Sequence, residues 1–341
     1  IIKSCDLAIV NLECPLVTSE TQPIVKEGPS LKSIPDAANL LKDSGFSLAT
    51  MANNHILDYG DVGLTDTINA LKKADISRVG AGINSEDAKR VYYFRKNSKT
   101  IAIINCCEHE FSIATDNSAG ANPLNPVQQW YDINESKRHA DYVIVIVHGG
   151  HEHYSLPSPR MQETYRFFVD AGADAVINHH QHCFSGYEVY NGKPIFYGLG
   201  NFCFDWEGKQ NSPWNYGFMV ELHLDEKIEF ILHPYEQCNQ TPDVHQLDEE
   251  QKKHFEEEII QLNTIIASPK DLKKEHKKWI EEDEQNWLIL FTPFTNRYMQ
   301  AMIRRKLLPL YIPKKKIITL LNRIMCESHR DKIAHILGKQ L

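Results

Sequence analysis

The 341-residue chain lacks any run of the roughly 18 to 20 uncharged apolar residues that a membrane-spanning helix needs. Its first segment, IIKSCDLAIVNLE, carries charges and leads straight into a strand pattern, so it does not read as a secretory leader. There is no initial Met; beginning at Ile1, the chain is expected to be processed or cut from a longer protein. The eight cysteines, Cys5, Cys14, Cys106, Cys107, Cys183, Cys203, Cys238 and Cys326, include no CxxC pair. Nor do they show the dense, regular spacing of a disulfide scaffold, so reduced thiols are the simpler expectation. Positive charge is not in excess: the formal net charge of -8 argues against bulk nucleic-acid binding. What is present is an ordinary globular composition, hydrophobic 42%, charged 24%, mean hydropathy -0.41. The length suffices for one large domain with a core and an appendage. Histidine is abundant, at sixteen, and it is clustered.

From Leu7 to about Pro234, short apolar runs alternate with amphipathic patterns, as in an α/β domain. LAIV (7–10) predicts a buried strand, 35–43 a helix and SLAT (47–50) a short strand. Leu64, Ile68 and Leu71 predict an amphipathic helix over 62–73. VYYFR (91–95) and TIAIINC (100–106) read as strands joined by a turn, 107–125 as loop, and the stretch to about Ala140 as helix. YVIVIVH (142–148) is the clearest buried strand. Ser158-Pro159 is a helix start, Met161, Tyr165, Phe168 and Val169 form that helix's apolar stripe, and DAVIN (174–178) is another strand. A hairpin follows, turning at Asn191-Gly192. Near Leu247 the chain becomes rich in Lys and Glu and helical in pattern, which divides it into domains at 1–243 and 244–341.

Four predicted strands end in polar groups. LAIV runs into Asn11-Leu12-Glu13, SLAT into Asn53-Asn54-His55, YVIVIV into His148, and DAVI into Asn178-His179-His180-Gln181-His182. In α/β folds, the carboxyl ends of strands gather ligands into one crevice, and carboxylate, amide and imidazole are donors for a transition metal. Each piece alone has a plain structural reading: a cap, a turn, a hydrogen-bonded core histidine or a solvated loop.

Together, Asn11-Leu12-Glu13, Ala52-Asn53-Asn54-His55 with Asp58 and Gly60, and His148-Gly149-Gly150 with Glu152 resemble the successive motifs of the CapA family of capsule or poly-gamma-glutamate synthesis proteins. So do Asp170–Asp174, His179–His182, and Leu199-Gly200-Asn201-Phe202 with Phe204-Asp205. The resemblance covers about residues 5 to 205 in the family's order and implies the calcineurin-like metallophosphoesterase fold, a four-layer αββα sandwich, here with a C-terminal helical extension.

That resemblance implies roles. Glu13 is the carboxylate bridging two metals; Asn54, His148 and His180 complete one metal's ligands, and His182 belongs to the other. His55 is the catalytic histidine, contacting phosphate and protonating the leaving group. The implied cofactor is a divalent transition metal (Mn, Fe or Zn), dinuclear in the complete protein. The family's opening Gly-Asp motif, whose Asp ligates the second metal, is expected upstream of this chain. Departures are Glu at the bridging position, Asn178 for Gly, Gln181 for Pro, and Gly149 for Trp, the last expected to open the pocket. Asn11, Asn53, Asp58, Glu152, His179 and Asn201 are candidates for supporting a ligand or touching substrate.

The expected function is a metal-dependent, phosphoesterase-like hydrolase in capsular polysaccharide or poly-gamma-glutamate synthesis, acting on an anionic polymer or a phosphorylated small molecule. The alternatives are a non-catalytic assembly or export factor with a relic site, and an amide hydrolase acting on the polymer. In the extension, Arg297, Arg304, Arg305, Lys306 and Lys314–Lys316 surround Leu307, Leu308, Leu310, Tyr311 and Ile312. Basic charge beside apolar bulk suits an anionic membrane surface, so 297–316 is a candidate for peripheral membrane contact, against the plainer reading of a docked helix. Cytoplasmic or membrane-peripheral placement in a bacterium is expected, with an upstream anchor left open.

Overall fold

Tyr142–His148 is apolar on both faces, and such a strand is stable only where layers cover it from both sides. In the computed structural model, which describes residues 1–18, 20–292 and 296–338, it sits at the centre of a mixed sheet with layers on either face. In chain order the first elements are β1 (Ile9–Asn11), α1 (Ala37–Ser44), β2 (Leu48–Thr50), α2 (Gly60–Lys73), β3 (Ser77–Val79), β4 (Ala81–Gly82) and α3 (Ser85–Ala88). Then come β5 (Tyr92–Lys96), β6 (Lys99–Cys107), β7 (Gly120–Ala121), α4 (Pro126–Lys137), β8 (Tyr142–His148), α5 (Pro159–Asp170) and β9 (Ala175–His179). After β10 (Tyr187–Tyr190) and β11 (Lys193–Phe196) follow β12 (Tyr216–Leu224), β13 (Ile228–Gln237), β14 (Val244–Gln246) and α6 (Glu249–Ala267).

The large sheet has the order β10-β11-β9-β8-β6-β5, with β6, β8, β9 and β11 parallel and an antiparallel strand at each edge. β1, β2 and β3 form a small parallel sheet. Leu48 and Val79 of the small sheet pack with Ile103, Ile144, Ile146 and Ala175 of the large one, with Leu222 and Leu224 of β12 closing the same core. On the small sheet's other face, Ala49 packs with Ala38 of α1 and Leu64 and Leu71 of α2. Alternate residues thus serve alternate faces, as the pleat requires. α4 and α5 cover the large sheet's remaining face, completing the αββα layers. Ser158 caps α5 by accepting from Met161 N–H at 3.1 Å.

β1 begins at Ile9, two residues after the apolar run starts, and β3 was not anticipated: Ser77-Arg78 is too polar to read as strand. The long β12–β13 hairpin and the two-residue β7 within 107–125 were also unforeseen.

Helical patterning begins at α6, yet the first compact unit runs from Ile1 to Lys273. α6 packs within it: Phe255 meets Phe184 and Phe218 with ring centroids 5.1 and 5.6 Å apart, and Gln162 donates to Ile266 O at 2.9 Å. α7 (Pro269–Glu282) leads into the second unit, Lys274–Leu341, with α8 (Glu284–Leu290), α9 (Arg297–Arg304), α10 (Lys314–Met325) and α11 (Glu327–Gly338). No helix among the described residues is long and apolar enough to cross a membrane.

Candidate metal centre

Parallel strands of both sheets end on the same side, so the polar residues that follow β1, β2, β8 and β9 are delivered to one place. Asn105 of β6 helps to fix that convergence. Its Oδ1 accepts from Met51 and Ala52 N–H at 3.1 and 2.8 Å, and its Nδ2 donates to Ile146 O at 3.0 Å, tying the end of β2 to β8. Asn53 is buried and structural, donating to Leu12 O at 2.8 Å and accepting from His55 N–H at 3.1 Å.

At the centre, one ligand atom each from Glu13, His148 and His180 lies within 4.8 Å of the others. His148 Nε2 is 3.0 Å from Asn54 Oδ1 and 3.1 Å from His180 Nδ1, while Glu13 Oε1 is 3.8 Å from His148 Nε2 and 3.5 Å from His182 Nε2. Asn11 donates to the other oxygen, Glu13 Oε2, at 3.1 Å. The five residues that the resemblance implied as metal ligands therefore lie together at one place. His180 and His182 hold left-handed backbone, φ 104° and 56°. Non-glycine residues adopt that conformation only where surrounding contacts enforce it.

Burial first, then the charge of Glu152, pushes the Glu13 carboxyl up to about 8. Burial also lowers the imidazoles: His148 well below its usual range, with His180 next in effect, and His182 down to about 4 although its Nδ1 can donate to Asn201 Oδ1. Neutral imidazoles present lone pairs, and a carboxylate that resists ionising among them lacks a counter-charge. Glu13 Oε1, the oxygen facing the histidines, is buried without a hydrogen-bond partner among the described residues. A divalent cation fits this donor set and satisfies that oxygen; mixed nitrogen and oxygen donors suit Mn, Fe or Zn.

His182 is braced differently. Its Nδ1 lies 2.9 Å from Asn201 Oδ1, its ring stacks on Trp214 at 4.7 Å, and Phe204 meets it edge-on at 5.5 Å. Asn201 in turn donates to Trp214 O at 3.2 Å. His55 stands beside the centre, lining the same cavity of about 230 Å³ as Asn54, Glu152 and His182. Its Nδ1 is 2.7 Å from Asp58 Oδ2 and 3.2 Å from Lys26 Nζ, and the nearer carboxylate favours a proton on Nδ1. Glu152 is exposed at the cavity lining, and His179 offers its carbonyl to Gly149 N–H at 3.1 Å, with no side-chain hydrogen bond to the cluster among the described residues.

Three contributors were not foreseen. Glu110 accepts from Asn54 Nδ2 at 3.3 Å and lies 3.8 Å from His180 Nε2. Lys26, its side chain only 3% exposed, pairs with Asp58 Oδ1 at 2.8 Å. Trp214 forms the aromatic wall behind His182. Nothing local in the sequence marks them, since each lies in an irregular segment or short turn and meets the site through long-range contacts. Beside Gly149 lies the Glu108 side chain, whose Cγ would be 2.8 Å from a Cβ built there. Asn178 is interior, donating to Gly149 O and Tyr197 O at 2.8 and 3.0 Å and accepting from Tyr165 Oη at 2.6 Å.

Comparison with known proteins places these residues in a family context. The family described as bacterial capsule synthesis protein PGA_cap matches residues 1–206. Capsule biosynthesis protein CapA of Bacillus anthracis is 34% identical over 241 residues, covering 68% of this chain and 57% of that protein. PGA biosynthesis protein CapA of Bacillus subtilis is 34% identical over 229 residues, covering 66% and 59%. The chain thus spans less than two thirds of either relative. A phosphatase of Mycoplasma pneumoniae of known structure overlaps 71% of this chain and 80% of its own at 19% identity, with a TM-score of 0.40.

Proposed function

This chain belongs to the bacterial capsule synthesis protein family PGA_cap, and we propose that it is a metal-dependent, phosphoesterase-like hydrolase serving capsular polysaccharide or poly-gamma-glutamate synthesis. The observation that carries this reading is the buried, unpartnered Glu13 Oε1 facing His148 and His182, with Asn54 and His180 close by.

Glu13, Asn54, His148, His180 and His182 would hold the metal. A bound divalent cation supplies charge neutralisation for a phosphoryl or carbonyl oxygen and lowers the pKa of water. The protein's own part is positioning and proton delivery. Asp58 accepts from Nδ1–H of His55 and balances the charge of the doubly protonated ring, from which Nε2 can give a proton to a leaving group in the cavity, and Lys26 holds Asp58 in place. Asn201 orients His182, and the Trp214 and Phe204 rings pack against its imidazole. A relic site in an assembly factor has no use for an oriented His55–Asp58 pair, which favours the enzyme over the non-catalytic alternative.

The test is turnover of an aryl phosphodiester and of a gamma-linked glutamyl peptide with added Mn. The reading expects hydrolysis of one of them and a loss of about 100-fold or more in His55→Ala with metal retained. Turnover unchanged in that variant removes the acid role, and no turnover of either substrate with metal bound favours the assembly factor. Peripheral membrane contact through 297–316 belongs to the same proposal, supported by exposed Leu307 and Tyr311 beside exposed Arg304, Arg305 and Lys314. Failure to co-sediment with anionic vesicles removes it.

A further inference from the structure

The thiols of Cys203 and Cys238 are in contact, Sγ to Sγ 3.9 Å, though 35 residues separate them in sequence. Among the described residues, no other pair of thiols is in such contact. Both members of the pair are anchored from outside. Cys238 holds left-handed backbone, φ 43°, pinned by its N–H donating to Asp243 O at 2.8 Å and its carbonyl accepting from Asn215 Nδ2 at 3.0 Å. Cys203 is fixed through its neighbours: Phe202 packs edge-on against Tyr235 at 5.4 Å, and Phe204 N–H donates to Gln237 Oε1 at 2.7 Å. The contact is therefore set by the fold around it, and a disulfide requires the sulfurs to close from 3.9 Å to about 2.05 Å.

We propose that Cys203 and Cys238 form a redox-closable disulfide that staples the segment carrying Asn201, Phe204 and Trp214 to the end of β13. The consequence reaches the centre, because those three residues are the ones that brace His182. The two thiols are not equivalent. Cys203 is exposed, whereas Cys238 is buried, and burial followed by the neighbouring sulfur pushes its thiol up to about 12. Cys203 is thus the first to react. With a disulfide oxidant, the Cys203 thiolate attacks one reagent sulfur, forming a mixed disulfide and releasing one reagent thiol. Cys238, losing its proton to solvent, then attacks Cys203 Sγ and expels the second reagent thiol. Two protein thiols are oxidised and one reagent disulfide is reduced.

The experiment treats the full chain with oxidised glutathione and maps its peptides without reduction. The expected result is a Cys203–Cys238 cross-link, two free thiols fewer per chain, and a thermal midpoint several degrees above the reduced protein. Chain that emerges from purification already carrying the cross-link gives the same support. In Cys238→Ser, Cys203 should stop at the glutathione adduct, and neither this variant nor Cys203→Ser should show a redox-dependent midpoint. The proposal is overturned if wild-type chain stops at a Cys203 adduct with Cys238 still free, if Cys203 does not react, or if either residue pairs with another cysteine. None of these readouts depends on metal or on turnover.

Discussion

The two flanks of the centre are built differently. On one, Glu13, Asn54, His148 and His180 crowd together, each within reach of another donor. On the other, His182 faces Glu13 at 3.5 Å through Nε2, is held from behind by Asn201, and otherwise leans on Trp214 and Phe204. The first flank is determined by donors and the second by packing. A cation held on the first should tolerate loss of a support but not of a ligand. Occupancy at His182 should depend on how well its aromatic wall is kept in place.

The comparison is broken most severely by removing the shared carboxylate. Glu13→Ala should abolish tight metal binding on both flanks, read by elemental analysis after dialysis, whereas a site held by the histidines alone would keep it. A smaller effect, roughly 10- to 100-fold in affinity, is expected for Asn201→Ala, since it frees the His182 ring without removing a ligand. Equal weakening by Asn11→Ala and Asn201→Ala would erase the distinction between the flanks.

Protons sharpen the picture further. With the Glu13 carboxyl raised to about 8, the metal-free protein carries that proton at pH 7, and the bound state needs the carboxylate. Metal binding should take about one proton from Glu13 at pH 7 and close to none at pH 9, as the carboxyl band in infrared difference spectra can read. A protonated Glu13 carboxyl that persists after metal binds at pH 7 would contradict this account. The smallest expected effect is a control. Ser158→Ala removes the α5 cap at a cost of about 1 kcal/mol of stability and should leave metal content unchanged.

Legibility followed the range of the interactions. Strand-end groups such as Glu13, Asn54, His148 and His180 could be found because apolar runs announce where a parallel strand stops. The Ser158 cap and the Met161, Tyr165, Phe168 and Val169 stripe are likewise local patterns. Asn105, Lys26, Glu110 and Trp214 were not legible, since each acts on residues far away in the chain from a strand interior or an irregular segment. β3 escaped for the opposite reason: its Ser77-Arg78 start is locally polar, and only pairing with β2 makes it a strand. The same limit applies to Cys203 and Cys238, whose spacing says nothing of their contact.

The central claim is that strand-end residues of this chain hold a metal. Its most direct test is metal content per chain, by elemental analysis, for wild type and His148→Ala purified identically with Mn or Zn supplied. The account predicts about one tightly held transition metal in wild type and none in the variant. No metal in either protein, or equal metal in both, would contradict it.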